Sequence, residues 1–231
     1  MPKTLVTFLL DRTGSMESIR DDTIGAFNTY LEALKTGDEI YFTLLQFDSI
    51  GVDKVHVNEP VADIPKLTRE TFVPRAWTPL IDASYKTIKA VEKSVAANPA
   101  TKVVICIQTD GYENASTEHS WEELNALIKE KIEASWQFNF MGASIDSYVQ
   151  ASRMGIAQDQ TLSYDSKDRA AAAAAFDATA KNTVLYSIGA LSGTAYSRAQ
   201  KRAAKDKYMD RKPAPTGDTK EKFSIVDDIS I

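Results

Sequence analysis

Residues 4–16, TLVTFLLDRTGSM, decide how the rest of this 231-residue chain is read. Seven apolar or β-branched residues, Thr4 to Leu10, run unbroken into Asp11. A strand apolar on both faces belongs at the centre of a parallel sheet, where helices cover both sides. The register breaks at Gly14, and Asp11, Thr13 and Ser15 place one carboxylate and two hydroxyls at alternate positions on a turn. That turn lies at the carboxyl end of the strand, the edge where open α/β sheets bind ligands. It opens into a helical pattern whose first amides are free to bind oxygen.

Outward from this turn, Ile19 to Leu34 carries Ile24, Phe27, Leu31 and Leu34 at helical spacing and ends at Gly37-Asp38. Glu39 to Phe47 reads as a second strand and residues 51 to 57 as a third, and so short a connection forces an antiparallel pair. Residues 63 to 79, with Pro65, Pro74 and Pro79, form an irregular stretch long enough to be functional or to hold a minor helix. A helix is expected from Leu80 to Ala97, with Pro79 where proline favours a helix start, and a strand from Val103 to Gln108. Ser120 and Glu123 make a capping box for a helix running to Ala134. A strand over Trp136 to Met141, a short helix over Asp146 to Met154 closed by Gly155, and a brief strand over Gln160 to Ser163 follow. A long, alanine-rich helix spans Ser166 to Ile188.

This alternation predicts a doubly wound α/β fold. The sheet is mostly parallel and six-stranded, in the order 3-2-1-4-5-6, with strand 3 antiparallel at the edge and helices on both faces. In that order the first and fourth strands are neighbours at the switch point, so Asp11 and Asp110 end side by side. Thr78, heading the helix between them, reaches in from the side. Two carboxylates and three hydroxyls are hard oxygen donors, suited to Mg²⁺ or Mn²⁺ and not to Zn²⁺. The only histidines, His56 and His119, lie outside the three loops and are read as surface residues.

The turn DRTGSM resembles the metal-ion-dependent adhesion site that opens von Willebrand factor type A (vWA) domains, whose pattern is Asp-x-Ser/Thr-x-Ser. That family completes its site with a distant Thr and a distant Asp, matched here by Thr78 in RAWTPLIDA and Asp110 in QTDGYEN. The resemblance implies that the hydroxyls of Thr13, Ser15 and Thr78 bind Mg²⁺ (or Mn²⁺) directly, with Asp11 and Asp110 often acting through water. It also implies that the ion takes a Glu or Asp carboxylate from a protein partner, with no catalysis. Arg12, Met16, Trp77 and Tyr112 are the candidates for partner contacts, Trp77 having core packing as its alternative. Glu113 and Asn114 read as a solvated loop, with outer-shell ligands as the alternative. The loops look most similar to stand-alone bacterial and phage vWA proteins.

Competing functions remain open at this point. A phosphatase-like enzyme with Asp11 as nucleophile would need an acid/base and a lysine that no motif supplies. A dinucleotide site would need three glycines where RTGSM has one. A structural role in an assembly would use the segment after residue 193. The chain is accordingly divided into a vWA domain, 1–193, and an extension, 194–231. Residues 195–222 hold nine Lys/Arg against four Asp/Glu; Tyr196 to Met209 reads as a basic helix and Asp210 to Lys222 as a linker. The terminal FSIVDDISI is apolar and acidic, a peptide able to dock or a frayed end.

Composition sets the remaining bounds. Apolar residues make up 43% of the chain and charged residues 26%, as in ordinary globular domains, and the net charge of −5 argues against nucleic acid as partner. The single cysteine, Cys106, allows no internal disulfide and reads as a buried apolar residue. No membrane-spanning segment or signal peptide is evident, so a cytoplasmic location is expected. The oligomeric state is not legible.

Overall fold

The computed structural model describes residues 3–96 and 101–210. Six strands form one sheet in the order β3-β2-β1-β4-β5-β6. They are β1 (Thr4–Asp11), β2 (Ile40–Asp48), β3 (Gly51–Pro60), β4 (Lys102–Thr109), β5 (Gln137–Ala143) and β6 (Thr161–Tyr164). All neighbours are parallel except β2 and β3, which are antiparallel. Every residue of β1 is buried, as its unbroken apolar run requires. Leu10 lies opposite both Gln46 of β2 and Gln108 of β4, so the strand ends carrying Asp11 and Asp110 emerge together.

Alternate residues of β1 feed two cores. Val6, Phe8 and Leu10 pack with α1 (Arg20–Leu34) and α5 (Arg169–Ser187). Leu5 and Leu9 face α2 (Leu80–Val95), α3 (Trp121–Glu133) and α4 (Ser147–Met154). Phe8 is the hub of the first core, with ring centroids 5.3 Å from Phe27, 4.9 Å from Tyr30 and 5.9 Å from Phe176. Cys106 is buried beside the Tyr30 hydroxyl, and burial pushes its thiol up to about 12, so it is a packing residue. The alanines of α5 allow α1 to lie close: Ala171, Ala172, Ala175 and Ala178 are all buried.

Several element ends depart from the sequence expectation. Helix α2 starts at Leu80 behind Pro79 as expected but ends at Val95, and the expected last residue, Ala97, lies outside the described residues. Asp168 sets the start of α5 by accepting from the amides of Ala170 and Ala171, three residues after the expected start. Residues 63–79 hold no helix beyond the end of a single 3-10 turn, Val61–Asp63. Ile64, Leu67 and Phe72 are instead buried, and Asn28 grips Leu67 through both its amide and carbonyl.

The basic helix expected over Tyr196 to Met209 is short. It spans Arg198–Ala203 as α6, behind a Ser197–Gln200 capping box. The chain then turns at Lys205 (φ 55°), and the Asp206 carboxylate accepts from the Ser163 amide at 3.1 Å and the Tyr148 hydroxyl at 2.6 Å. Leaving the helix early satisfies the outer edge of β6, which would otherwise expose unpaired amides. Tyr196 and Ala204 join the core beside α5. The linker expected after Asp210 and the FSIVDDISI segment lie outside the described residues.

Phe8→Ala is expected to cost about 3–5 kcal/mol, the usual toll for truncating a fully buried ring. Urea unfolding with an unchanged m-value checks it.

Candidate metal and partner-binding site

Three loops meet above the carboxyl ends of β1 and β4. The first follows Asp11, the second carries Thr78 into α2, and the third follows β4 through Asp110 and Gly111. Asp11 has no solvent exposure. One of its oxygens accepts from the Thr13 amide at 2.7 Å and the other from the Thr109 hydroxyl at 2.5 Å. The Ser15 hydroxyl donates to Asp110 at 2.6 Å and lies 3.2 Å from the Thr13 hydroxyl, which accepts from Thr78 Oγ1 at 3.3 Å. All five residues expected at the site, Asp11, Thr13, Ser15, Thr78 and Asp110, thus form one contiguous cluster.

The cluster fits a hard divalent cation on two observations. Among the described residues, no Lys or Arg pairs with either carboxylate, and burial raises both: Asp11 to about 7, Asp110 in the same direction. For Asp11 burial outweighs the Thr109 and Thr13 hydrogen bonds, and the charge of Asp110 adds to it. Space is also kept clear, because a Cβ at Gly111 would sit 3.2 Å from Thr78 Oγ1 and 3.9 Å from Ser15 Oγ. No group of three or more His, Cys, Asp or Glu placed for a metal occurs among the described residues. A site of three hydroxyls and two carboxylates does not need one.

The loops are held by carboxylates that the sequence reading did not single out. Asp48, at the end of β2, accepts from Arg12 at 2.8 Å and Arg75 at 2.8 Å, and Arg12 also pairs with Asp53 at 2.8 Å. The Arg75 amide donates to the Arg12 carbonyl, and the Gly14 amide to that of Ala76, whose left-handed backbone (φ 61°) turns the chain toward Thr78. Glu113 and Asn114 are not merely solvated. The Asn114 side chain accepts from the Thr78 amide at 2.9 Å, and Glu113 accepts from the amides of Ile81, Ala115 and Ser116. Asp82 accepts from the amides of Thr117, Glu118 and His119. The third loop is thus sewn to the head of α2. Gln150 closes it from α4 by bonding the Glu113 amide and the Gly111 carbonyl.

The four expected partner contacts divide. Trp77 is 69% exposed and Tyr112 52% exposed, so core packing does not claim Trp77. Arg12 is 8% exposed and locked between Asp48 and Asp53, and Met16 is fully buried in the first core. Neither of these two presents its side chain to a partner here. Arg12 is a cross-link between the first loop and the β2–β3 hairpin, and Met16 anchors the turn from below. Thr109, whose hydroxyl grips Asp11, was missed although it precedes Asp110 directly; nothing in the local pattern assigns it that bond.

An open, doubly wound domain with a hydroxyl-and-carboxylate cluster at its switch point is the class these features define. The fold is that of a vWA domain. No protein-family model matches the chain, and no curated protein matches its sequence. Solved structures do. Over 76% of this chain, proximal thread matrix protein 1 of the mussel byssus, with a zinc-occupied MIDAS motif, matches at 12% identity and TM-score 0.56. The pilus adhesin SpaC of Lactobacillus rhamnosus GG matches over 81% at 12% identity and TM-score 0.63. The vWF domain of the type V pili tip protein Mfa5 of Porphyromonas gingivalis matches over 80% at 10% identity and TM-score 0.58. This chain spans 46% of the mussel protein and 30% of SpaC, but 96% of the Mfa5 domain.

A pH dependence follows from Asp11. Its folded carboxyl titrates near 7 and an unfolded one near ~3.9, so the metal-free fold binds the proton more tightly. The stabilisation is full below the unfolded value and is lost as pH rises through the folded one. In EDTA, melting temperature should fall between about pH 5 and about pH 8 more steeply for wild type than for Asp11→Asn. Mg²⁺ should raise it more at the higher pH, as scanning calorimetry would show.

Proposed function

We propose that this chain is a non-enzymatic, metal-dependent protein-binding module that captures an acidic side chain of a protein partner. The observation that carries this reading is the pair of cation-free carboxylates joined to three hydroxyls under an open glycine. Thr13, Ser15 and Thr78 would hold Mg²⁺ through their hydroxyls, with Asp11 and Asp110 supplying charge around them. The bound ion would supply an electrophilic centre for an incoming carboxylate. Few anionic groups at the site leave that affinity unspent. Trp77 and Tyr112 stand beside it as apolar contacts able to flank such a carboxylate. The printed names of a MIDAS motif and a pilus adhesin among similar folds support the same reading.

The phosphatase alternative finds no support in the geometry. A nucleophile must reach its substrate, whereas both Asp11 oxygens are engaged and the side chain is sealed from solvent.

Ser15→Ala and Asp110→Ala should each weaken Mg²⁺ affinity by about tenfold or more while the fold survives, since one charge-assisted contact is worth ~1.5–3 kcal/mol. Titration calorimetry measures this. In pull-downs with wild type and Asp11→Ala, each with Mg²⁺ and with EDTA, only wild type with Mg²⁺ should retain a partner. Equal retention by all four samples would end the metal-dependent reading.

A further inference from the structure

Beside the cluster, the second face of the sheet is less completely covered at the β2–β3 edge, where Val52 is only partly buried and Val57 is exposed. Helices α2, α3 and α4 cover that face from β1 to β6, and a groove of about 550 Å³ remains between α2 and the β2–β3 pair. Leu45, Val52, Val57, Ala83, Ala90 and Val91 supply its apolar walls. Its upper end is made by Asp48 to Gly51 and by Pro79, the residue after Thr78. Ser49 accepts from the Trp77 amide at 3.2 Å, so groove and cluster share a wall. A ligand fitting both combines an acidic residue with neighbouring branched aliphatic residues in an extended chain.

The chain carries such a segment. Residues 223–231, FSIVDDISI, place Asp227 and Asp228 between Ile225-Val226 and Ile229-x-Ile231. We propose that this segment of the same molecule occupies the combined surface, with one of the two aspartates at the cation and the branched residues in the groove. The inference rests on the metal-dependent reading above.

Reach permits it. Asp206 plugs the edge of β6, and Lys207 and Tyr208 lie beside Ser144 and Tyr164 at the carboxyl ends of β5 and β6. The described chain therefore stops at Asp210 on the same end of the sheet as the cluster. From β6 to β2 and β3 is four to five strand spacings, roughly 19–24 Å. The thirteen residue steps from 210 to 223 (223 − 210) span up to ~43 Å when extended. The segment lowers the site's access to outside carboxylates, so an external partner must displace it.

Hydrogen–deuterium exchange on the full chain tests this. With Mg²⁺, amides of residues 223–231, of β3 and of α2 should exchange about tenfold more slowly than in EDTA. The protection should be independent of protein concentration. It should be lost in an Asp227→Asn/Asp228→Asn double variant and in Ala90→Arg, which narrows the groove from an exposed position of α2. Calorimetric Mg²⁺ binding should be kept in Ala90→Arg and weakened but not lost in the double Asn variant, which removes the segment's own carboxylates from the ion. Mg²⁺ binding without protection of 223–231 overturns the inference and leaves the metal reading standing. Absence of Mg²⁺ binding overturns both. Protection that grows with protein concentration assigns the surface to a second copy and overturns docking within one molecule.

Discussion

A carboxylate with no access to water terminates the central strand, and much of the upper half of the molecule is arranged to tolerate it. Asp11 cannot be moved outward, because β1 is covered on both faces and its register is locked to β2 and β4. Its charge must therefore be met where it stands. The Thr13 amide and the Thr109 hydroxyl meet part of it. The rest is left to a second carboxylate and three hydroxyls that cannot neutralise it among themselves. A buried group of that kind is costly unless something positive joins it.

The surrounding loops show the opposite treatment of negative charge. Asp48, Asp82 and Glu113 each find several donors and act as cross-links between chain segments. Together with Asn114 they tie the Thr78 segment to both the β2–β3 hairpin and the loop after β4. A hydroxyl is a weak metal donor and contributes only when its position is fixed beforehand. Two classes of acid thus share this end of the sheet. One class is paired with cations or several amides and holds the frame; the other is hydrogen-bonded but has no cation beside it.

The strand order and the five clustered residues were legible because they depend on patterns the chain states directly. The both-faces apolar run of β1 marks a central strand, and short connections fix pairing sense. The brief strand over residues 160–163 was readable from its neighbours, and β6 runs Thr161–Tyr164. Arg12 and Met16 turn inward for a reason the sequence does not state. Alternation along a turn does not state which side chains fold inward, and Arg12 is drawn in by Asp48 and Asp53, 36 and 41 residues on (48 − 12, 53 − 12). Glu113 illustrates the same limit: besides its local donors Ala115 and Ser116 it accepts from Ile81 of α2, brought near only by the finished fold. The early end of α6 could not be read from its helix-forming residues, because it answers to the edge of β6.

The reversal of strand order has two consequences from one cause. Chain direction away from β1 changes at the switch point, so the loops after β1 and β4 diverge and leave an opening at the strand ends. That opening holds the cluster of carboxylates and hydroxyls. The same reversal sends β2 and β3 to one side joined by a tight hairpin, with no crossover helix between them to lie on the second face. The first face of this pair is covered by the long connection through Ile64, Leu67 and Phe72. On the second face α2 packs over Leu45 and Phe47 of β2 but leaves β3 largely uncovered, and the groove lies between them. Cluster and groove are therefore neighbours by topology, and a ligand recognised by either is presented at once to the other.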